Sequence, residues 1–159
     1  MLDEHYRSHP YIARWFNREF YRGALTVLTD TAGMPDDERS IGWTDVHGEA
    51  RRGEAGSWVN TAEAEAAARL LAEWIHGTGG SAGVVTPFAA QALLIRRLVR
   101  RHPQLGEEVL TEVDFECGTA HRFQGAERYA IIFSAVLAPG ISERSATWVD
   151  RERNLVNVA

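Results

Sequence analysis

Apolar residues recur every three or four positions in three stretches of the chain and gather in short, mostly apolar runs in three others. In residues 11–21, Ile12, Trp15, Phe16 and Phe20 fall on one side and Arg14 and Arg18 on the other, which predicts a helix closed by Gly23. Residues 60–77 carry the clearest stripe, formed by Ala64, Ala67, Leu71, Trp74 and Ile75. Asn60 with Glu63 predicts the start of that helix, Gly77 its stop, and Glu65 with Arg69 an i,i+4 pair on its surface. A third helix is expected from Pro87 to about Arg101, with Leu94, Ile95, Leu98 and Val99 inward and Pro103 ending it.

The short runs predict strands at residues 82–86, 109–113 and 129–134, the last read as fully buried. Residues 29–59 show little periodicity and are rich in Asp, Glu, Arg and Gly. They are expected to be a variable insertion, with short strands near 41–46 and 57–59 paired across residues 48–56. Strands alternating with helices predict βαβ units, hence an α/β fold with a mainly parallel sheet covered on both faces.

Composition changes this picture in two places. The 159 residues, 45% hydrophobic and 25% charged, suit one soluble domain with a sizeable core. The net charge of -5 does not advertise nucleic-acid binding, although a basic strip can sit on an acidic protein. All 17 basic residues are Arg. With no Lys, a GxxxxGK[ST] phosphate loop cannot be present. Asp3-Glu4 has only Met1 and Leu2 before it, so it does not read as a Mg²⁺-binding pair at the end of a strand. Cys117 is the single cysteine, which suits a reducing compartment and leaves no internal disulfide. No run is long enough for a membrane span, and the expected location is cytoplasmic.

The six His, at 5, 9, 47, 76, 102 and 121, lack metal-ligand spacing, so no metal site is expected. The G-x-S-x-G and G-x-G-x-x-G patterns are absent. What remains is a set of polar clusters placed at strand ends: Tyr6-Arg7, Thr86-Pro87-Phe88 with Gln91, residues 118–127, and residues 154–159. In an open α/β sheet such ends converge on one rim. Arg suits a phosphate through its planar fork, Tyr can stack on a base, and Thr hydroxyls and helix N-terminal amides can bind phosphate oxygens. The constellation suits nucleotide and nucleic-acid binding without a phosphate loop. The Arg run at 96, 97, 100 and 101 reads more plainly as a solvated helix end that complements the dipole.

Four segments in order resemble the second RecA-like domain of superfamily 1 helicases, in the Upf-like and Dna-helicase/nuclease-like group. Leu2-Asp3-Glu4-His5-Tyr6-Arg7-Ser8-His9-Pro10 is similar to the family's motif IV region. Gly83-Val84-Val85-Thr86-Pro87-Phe88-Ala89-Ala90-Gln91 is similar to its TPY-x-x-Q element. Gly118-Thr119-Ala120-His121-Arg122-Phe123-Gln124-Gly125-Ala126-Glu127 resembles motif V, T-x-x-x-FQG-x-E. Asn154-Leu155-Val156-Asn157-Val158-Ala159 resembles the first half of motif VI.

The resemblance covers residues 1–159 and implies a three-layer αβα RecA-like domain that lacks the phosphate loop, ending within motif VI. It implies that Tyr6 stacks on adenine, that Arg7 reaches the γ-phosphate as the catalytic residue, that Gly125 lets the backbone approach the nucleotide and that Glu127 holds the ribose. Thr86, Pro87 and Thr119, with His121 and Arg122, would meet the phosphates of single-stranded DNA or RNA. The cofactor would be ATP with Mg²⁺, bound mainly by the first RecA-like domain, which is the implied partner. Phosphoryl transfer needs the phosphate-loop Lys, Mg²⁺ and an arginine finger. The chain alone is therefore expected to be inactive as an ATPase or helicase. The alternatives are a non-catalytic single-strand-binding module and an inactive truncated fragment.

Overall fold

The computed structural model describes residues 4–5, 8–30, 41–53, 56–123 and 128–152, with the side chain of His121 excepted. The chain divides into two compact units, residues 1–45 and 46–159.

In the first unit, β1 (Glu4–His5) pairs in parallel with β2 (Thr26–Val27), joined by α1 (Pro10–Tyr21). Pro10 at the first helical position and His9, whose ring accepts from the Tyr11 amide, open α1. Arg22 and then Gly23 take left-handed backbone to close it. Asn17 holds the returning chain by bonding both the N–H and the C=O of Leu25. Phe16 meets the His5 ring edge-on at 4.9 Å, while Trp15 stays partly exposed.

In the second unit, the sheet runs β6 (Glu116–Gly118), β5 (Ala82–Val85), β7 (Ala130–Phe133), all parallel. One face is covered by α2 (Thr61–Thr78) and α3 (Ala89–Arg101), which pack on each other. Leu71, Ile95 and Val99 are fully buried there against Ala82 and Val84. Strand alternation sends Val85, Ile131 and Phe133 to the opposite face, where they meet Ala120 and Phe123 from a 3-10 turn, Ala120–Phe123. The α/β class and parallel sheet are as expected, and the RecA-like arrangement is consistent with both.

Several elements differ from the sequence expectation. Residues 109–113 are not a strand. Residues 109–112 belong to α4 (Glu107–Glu112), Val113 caps it, and the strand lies later, at β6. Glu107 and Glu108 sit at the positive N-terminal end of α4, and Leu110 and Val113, three apart, both reach the core. That one-sided burial overrides the strand preference of Val. β7 is half-buried rather than fully buried, and Tyr129 before it is 84% exposed. Gly77 does not stop α2; the helix runs one residue further and Gly79, at φ +69°, caps it. α3 starts at Ala89, because Pro87 and Phe88 form the corner that leads into it. The expected strand at 41–46 is absent; the hairpin is made by β3 (Arg51–Arg52) and β4 (Trp58–Val59). Residues 143–151 form a helix, α5 (Glu143–Arg151), that hydrophobic spacing did not disclose.

A second cluster joins these parts. Ala50, Trp58, Phe88, Val136 and Val149 bury together, so hairpin, corner and α5 share one small core. The Trp58 indole donates to the Ser145 hydroxyl at 2.8 Å, and the Arg52 guanidinium lies 4.1 Å from the ring centroid.

Gly83 ties the sheet to the loop after β6. A Cβ there would lie 2.5 Å from the Phe123 ring and 2.9 Å from Ile131. Gly83→Ala is expected to cost about 1–3 kcal/mol through overpacking. Part of that loss should return in the double variant with Phe123→Leu, as read by denaturant unfolding; an unchanged midpoint for Gly83→Ala would show that Phe123 does not seat on residue 83.

Candidate nucleic-acid interface

Three parallel strands end side by side, and the chain leaves each of them on the same rim. β5 passes into Thr86-Pro87-Phe88, β6 into Thr119, and β7 into Ser134. The backbone ladder extends one step past the strands: the Thr86 amide donates to the Gly118 carbonyl at 3.1 Å and the Ser134 amide to the Val85 carbonyl at 2.9 Å. The two predicted segments around Thr86 and Thr119 are therefore neighbours in space.

Behind the rim lies a buried polar network. Gln91, on the first turn of α3, is fully buried. Its Oε1 accepts from the Asn60 amide at 2.9 Å, and its Nε2 donates to the Asn60 carbonyl at 3.1 Å and the Ser134 hydroxyl at 3.0 Å. Three of the four bonds an amide can make are thus filled. Asn60 is itself the N-cap of α2, its Oδ1 accepting from the Glu63 amide. Glu63 then turns its carboxylate to the Val136 amide, at 2.9 and 3.2 Å. Val136 is fully buried with φ +61°, a backbone region that a β-branched residue rarely adopts. Burial raises the Glu63 carboxyl above the usual glutamate range, opposed by the bonds it accepts from Val136, Ala135 and Ser134.

The predicted site residues fall into three groups. Thr86 and Pro87 are buried; Thr86 is 0% exposed and its hydroxyl accepts from the Phe88 amide. Both lie beneath the surface of the rim, at the corner between β5 and α3. Thr119 is half-buried at the mouth of the loop, and its carbonyl accepts from the Arg122 amide at 2.8 Å. His121 contributes backbone to the 3-10 turn, and the Arg122 side chain is 59% exposed. The third group lies outside the described residues: Tyr6, Arg7, Gly125 and Glu127, together with residues 154–159. Among the described residues, no group of three or more His, Cys, Asp or Glu could hold a metal ion. No helix among them is long and apolar enough to cross a membrane.

Across residues 1–159 the chain matches the family described as AAA domain. It is 32% identical over 153 residues to the human RNA helicase Mov10l1, which covers 85% of this chain and 12% of that protein. It is 25% identical over 169 residues to the ATP-dependent helicase NAM7 of Saccharomyces cerevisiae, covering 99% of this chain and 17% of that protein. The chain belongs to the superfamily 1 helicase motor domains, in the Upf-like group. A third relative, the Regulator of nonsense transcripts 1 homolog of Arabidopsis thaliana, is 26% identical over 147 residues, 85% of this chain and 12% of its own length. The chain thus spans 12–17% of the length of these relatives.

Within this helicase domain, sequence reasoning singled out the exposed rim and overlooked what supports it. Asn60 and Glu63 read as a helix cap and Ser134 as a strand end, and Glu116 carried no local signal. Only Gln91 had been marked as a candidate, six residues after the end of β5. The signal for the others is that they are polar residues bordering apolar runs, where an unpaired group would be costly.

The raised Glu63 carboxyl has a signed consequence. In the unfolded chain Glu63 ionises in the ordinary range, whereas folded it holds its proton to higher pH. Its contribution to stability is therefore full below the unfolded pKa and falls as pH rises through the folded one. Melts of the wild type and Glu63→Gln across acidic pH should show the wild type losing ground relative to the variant as pH rises. A difference that is flat, or that grows with pH, would show that the accepted hydrogen bonds outweigh burial.

Proposed function

We propose that this chain is part of the second motor domain of an ATP-dependent superfamily 1 helicase and that it grips a single nucleic-acid strand along the rim formed by Thr119, His121 and Arg122. The observation that carries the reading is the placement of the exposed Arg122 beside Thr119, immediately after a parallel strand, on a turn anchored by buried Phe123. An anchored turn holds an arginine at a fixed place on the rim, which suits phosphate recognition. Thr86 and Pro87 act beneath it, setting the corner on which the turn rests.

The nucleotide side rests on the family resemblance. Tyr6 would stack on adenine, Arg7 would stabilise charge on the γ-phosphate, Gly125 would admit the nucleotide to the backbone and Glu127 would hold the ribose. ATP with Mg²⁺ is the proposed cofactor, and the first RecA-like domain the proposed partner that supplies most of its site. The name of the relative with 32% identity makes RNA the first strand to test.

The purified chain should bind a fluorescent single-stranded oligonucleotide with strong salt dependence. Arg122→Ala should weaken binding severalfold and flatten the salt dependence by about 0.7 in log–log slope, the value for one phosphate contact on a single strand. The same preparation should release no phosphate from ATP. Equal affinity and slope in Arg122→Ala would remove Arg122 from the interface, and strand-stimulated ATP turnover by the chain alone would contradict its assignment as one half of a motor.

A further inference from the structure

Glu116 is the residue at this site that neither the motifs nor the family match accounts for. It lies on β6, and alternation directs it away from the helices that cover Cys117, toward the face where Gly118 meets Arg122. A Cβ on Gly118 would lie 2.7 Å from the Arg122 Cδ, so the arginine stem runs directly over the strand that carries Glu116. The two oxygens of the Glu116 carboxylate are divided between two arginines. Oε1 accepts from Arg122 Nε at 3.1 Å, and Oε2 lies 3.5 Å from Arg128 Nη2. The same Arg128 nitrogen donates to Asp114 Oδ1 at 3.2 Å. Arg122 precedes residues 123–127 and Arg128 follows them. One carboxylate therefore meets two arginines that are six positions apart in the sequence.

A carboxylate and a phosphate present similar oxygens to a guanidinium, and both favour charge-assisted bonds of this kind. We propose that Glu116 occupies, within the free chain, the place that a strand phosphate takes on Arg122, so that the strand must displace an internal competitor. The inference rests on the proposed strand-binding role of Arg122. The Glu116 side chain is 25% exposed and that of Arg122 59%, so the pair is accessible to an incoming phosphate and weak enough to be exchanged. Arg128, with a side chain only 11% exposed, keeps its contact with Asp114 when Arg122 leaves. The device makes occupancy of the rim depend on charge as well as on shape, because an uncharged ligand cannot replace the carboxylate.

The sign of one substitution separates competition from support. Glu116→Gln keeps the shape of the side chain and removes its charge. In titrations of a fluorescent single-stranded RNA against the purified chain at low salt, Glu116→Gln should bind about two- to fivefold more tightly than wild type, the range set by an exposed ion pair. The gain should vanish in the Arg122→Ala background, and thermal melts of the variants should show them folded. Unchanged or weaker binding by a folded Glu116→Gln, while wild type still binds, would overturn the competitor role and leave the strand-binding reading intact. A gain of the same size without Arg122 would also overturn it, since removal of one negative charge would then suffice. If neither wild type nor Glu116→Gln bound RNA or DNA, both this inference and the reading beneath it would fall.

Discussion

The rim of this domain depends on burying the Gln91 amide with its bonds made. A buried amide left without partners costs several kcal/mol, of order 2–7 depending on the reference state, so its surroundings must converge on it. Asn60 supplies both a donor and an acceptor from one backbone position, and Ser134 supplies a hydroxyl. Those partners come from the start of α2 and the end of β7, while Gln91 itself sits on α3. Satisfying one side chain therefore fixes the relative placement of two helices and a strand. The apolar contacts of Leu71, Ile95 and Val99 drive burial without direction. The amide adds the direction, and this is the sense in which a polar network can specify a core.

The same logic extends outward. Asn60 caps α2 and so orients Glu63, whose carboxylate takes the amide of Val136 where the backbone is strained. On the opposite face, Phe123 seats over Gly83, a strand position where a side chain would collide with it. The turn carrying Thr119 and Arg122 is thus held from below by packing and from beside by the Thr86–Gly118 backbone bond. The exposed Arg122 on that turn is presented from a backbone that is held in place. This is a common division of labour in α/β proteins, where rigid strands present functional loops.

Much of this was legible beforehand, for identifiable reasons. The stripe of α2, the four-residue run of β5 and the Gly83-to-Gln91 pattern are local signals that tertiary structure left in place. Residues 109–113 misled because Val and Leu in a short run fit a strand and a helix equally well, and only the core beyond them decided. α5 was hidden because its polar sequence buries only Val149, with the Trp58–Ser145 bond, 87 residues apart in sequence, helping to hold it. Thr86 is expected as a contact residue because its type suits phosphates; its burial depends on the corner around Phe88, which no local pattern reveals. Glu116 was unreadable for the same reason, since its two arginines lie 6 and 12 positions further along the chain and meet it only in the fold.

The central claim is that the turn after β6 meets the strand, supported from behind by the buried network. Hydrogen exchange of the chain with and without a saturating single-stranded oligonucleotide tests this directly, because it reads backbone protection along the whole sequence. The account predicts new protection at residues 118–123, with little change along the Arg-rich end of α3 at residues 96–101. Protection centred on residues 96–101, with none at 118–123, would contradict it.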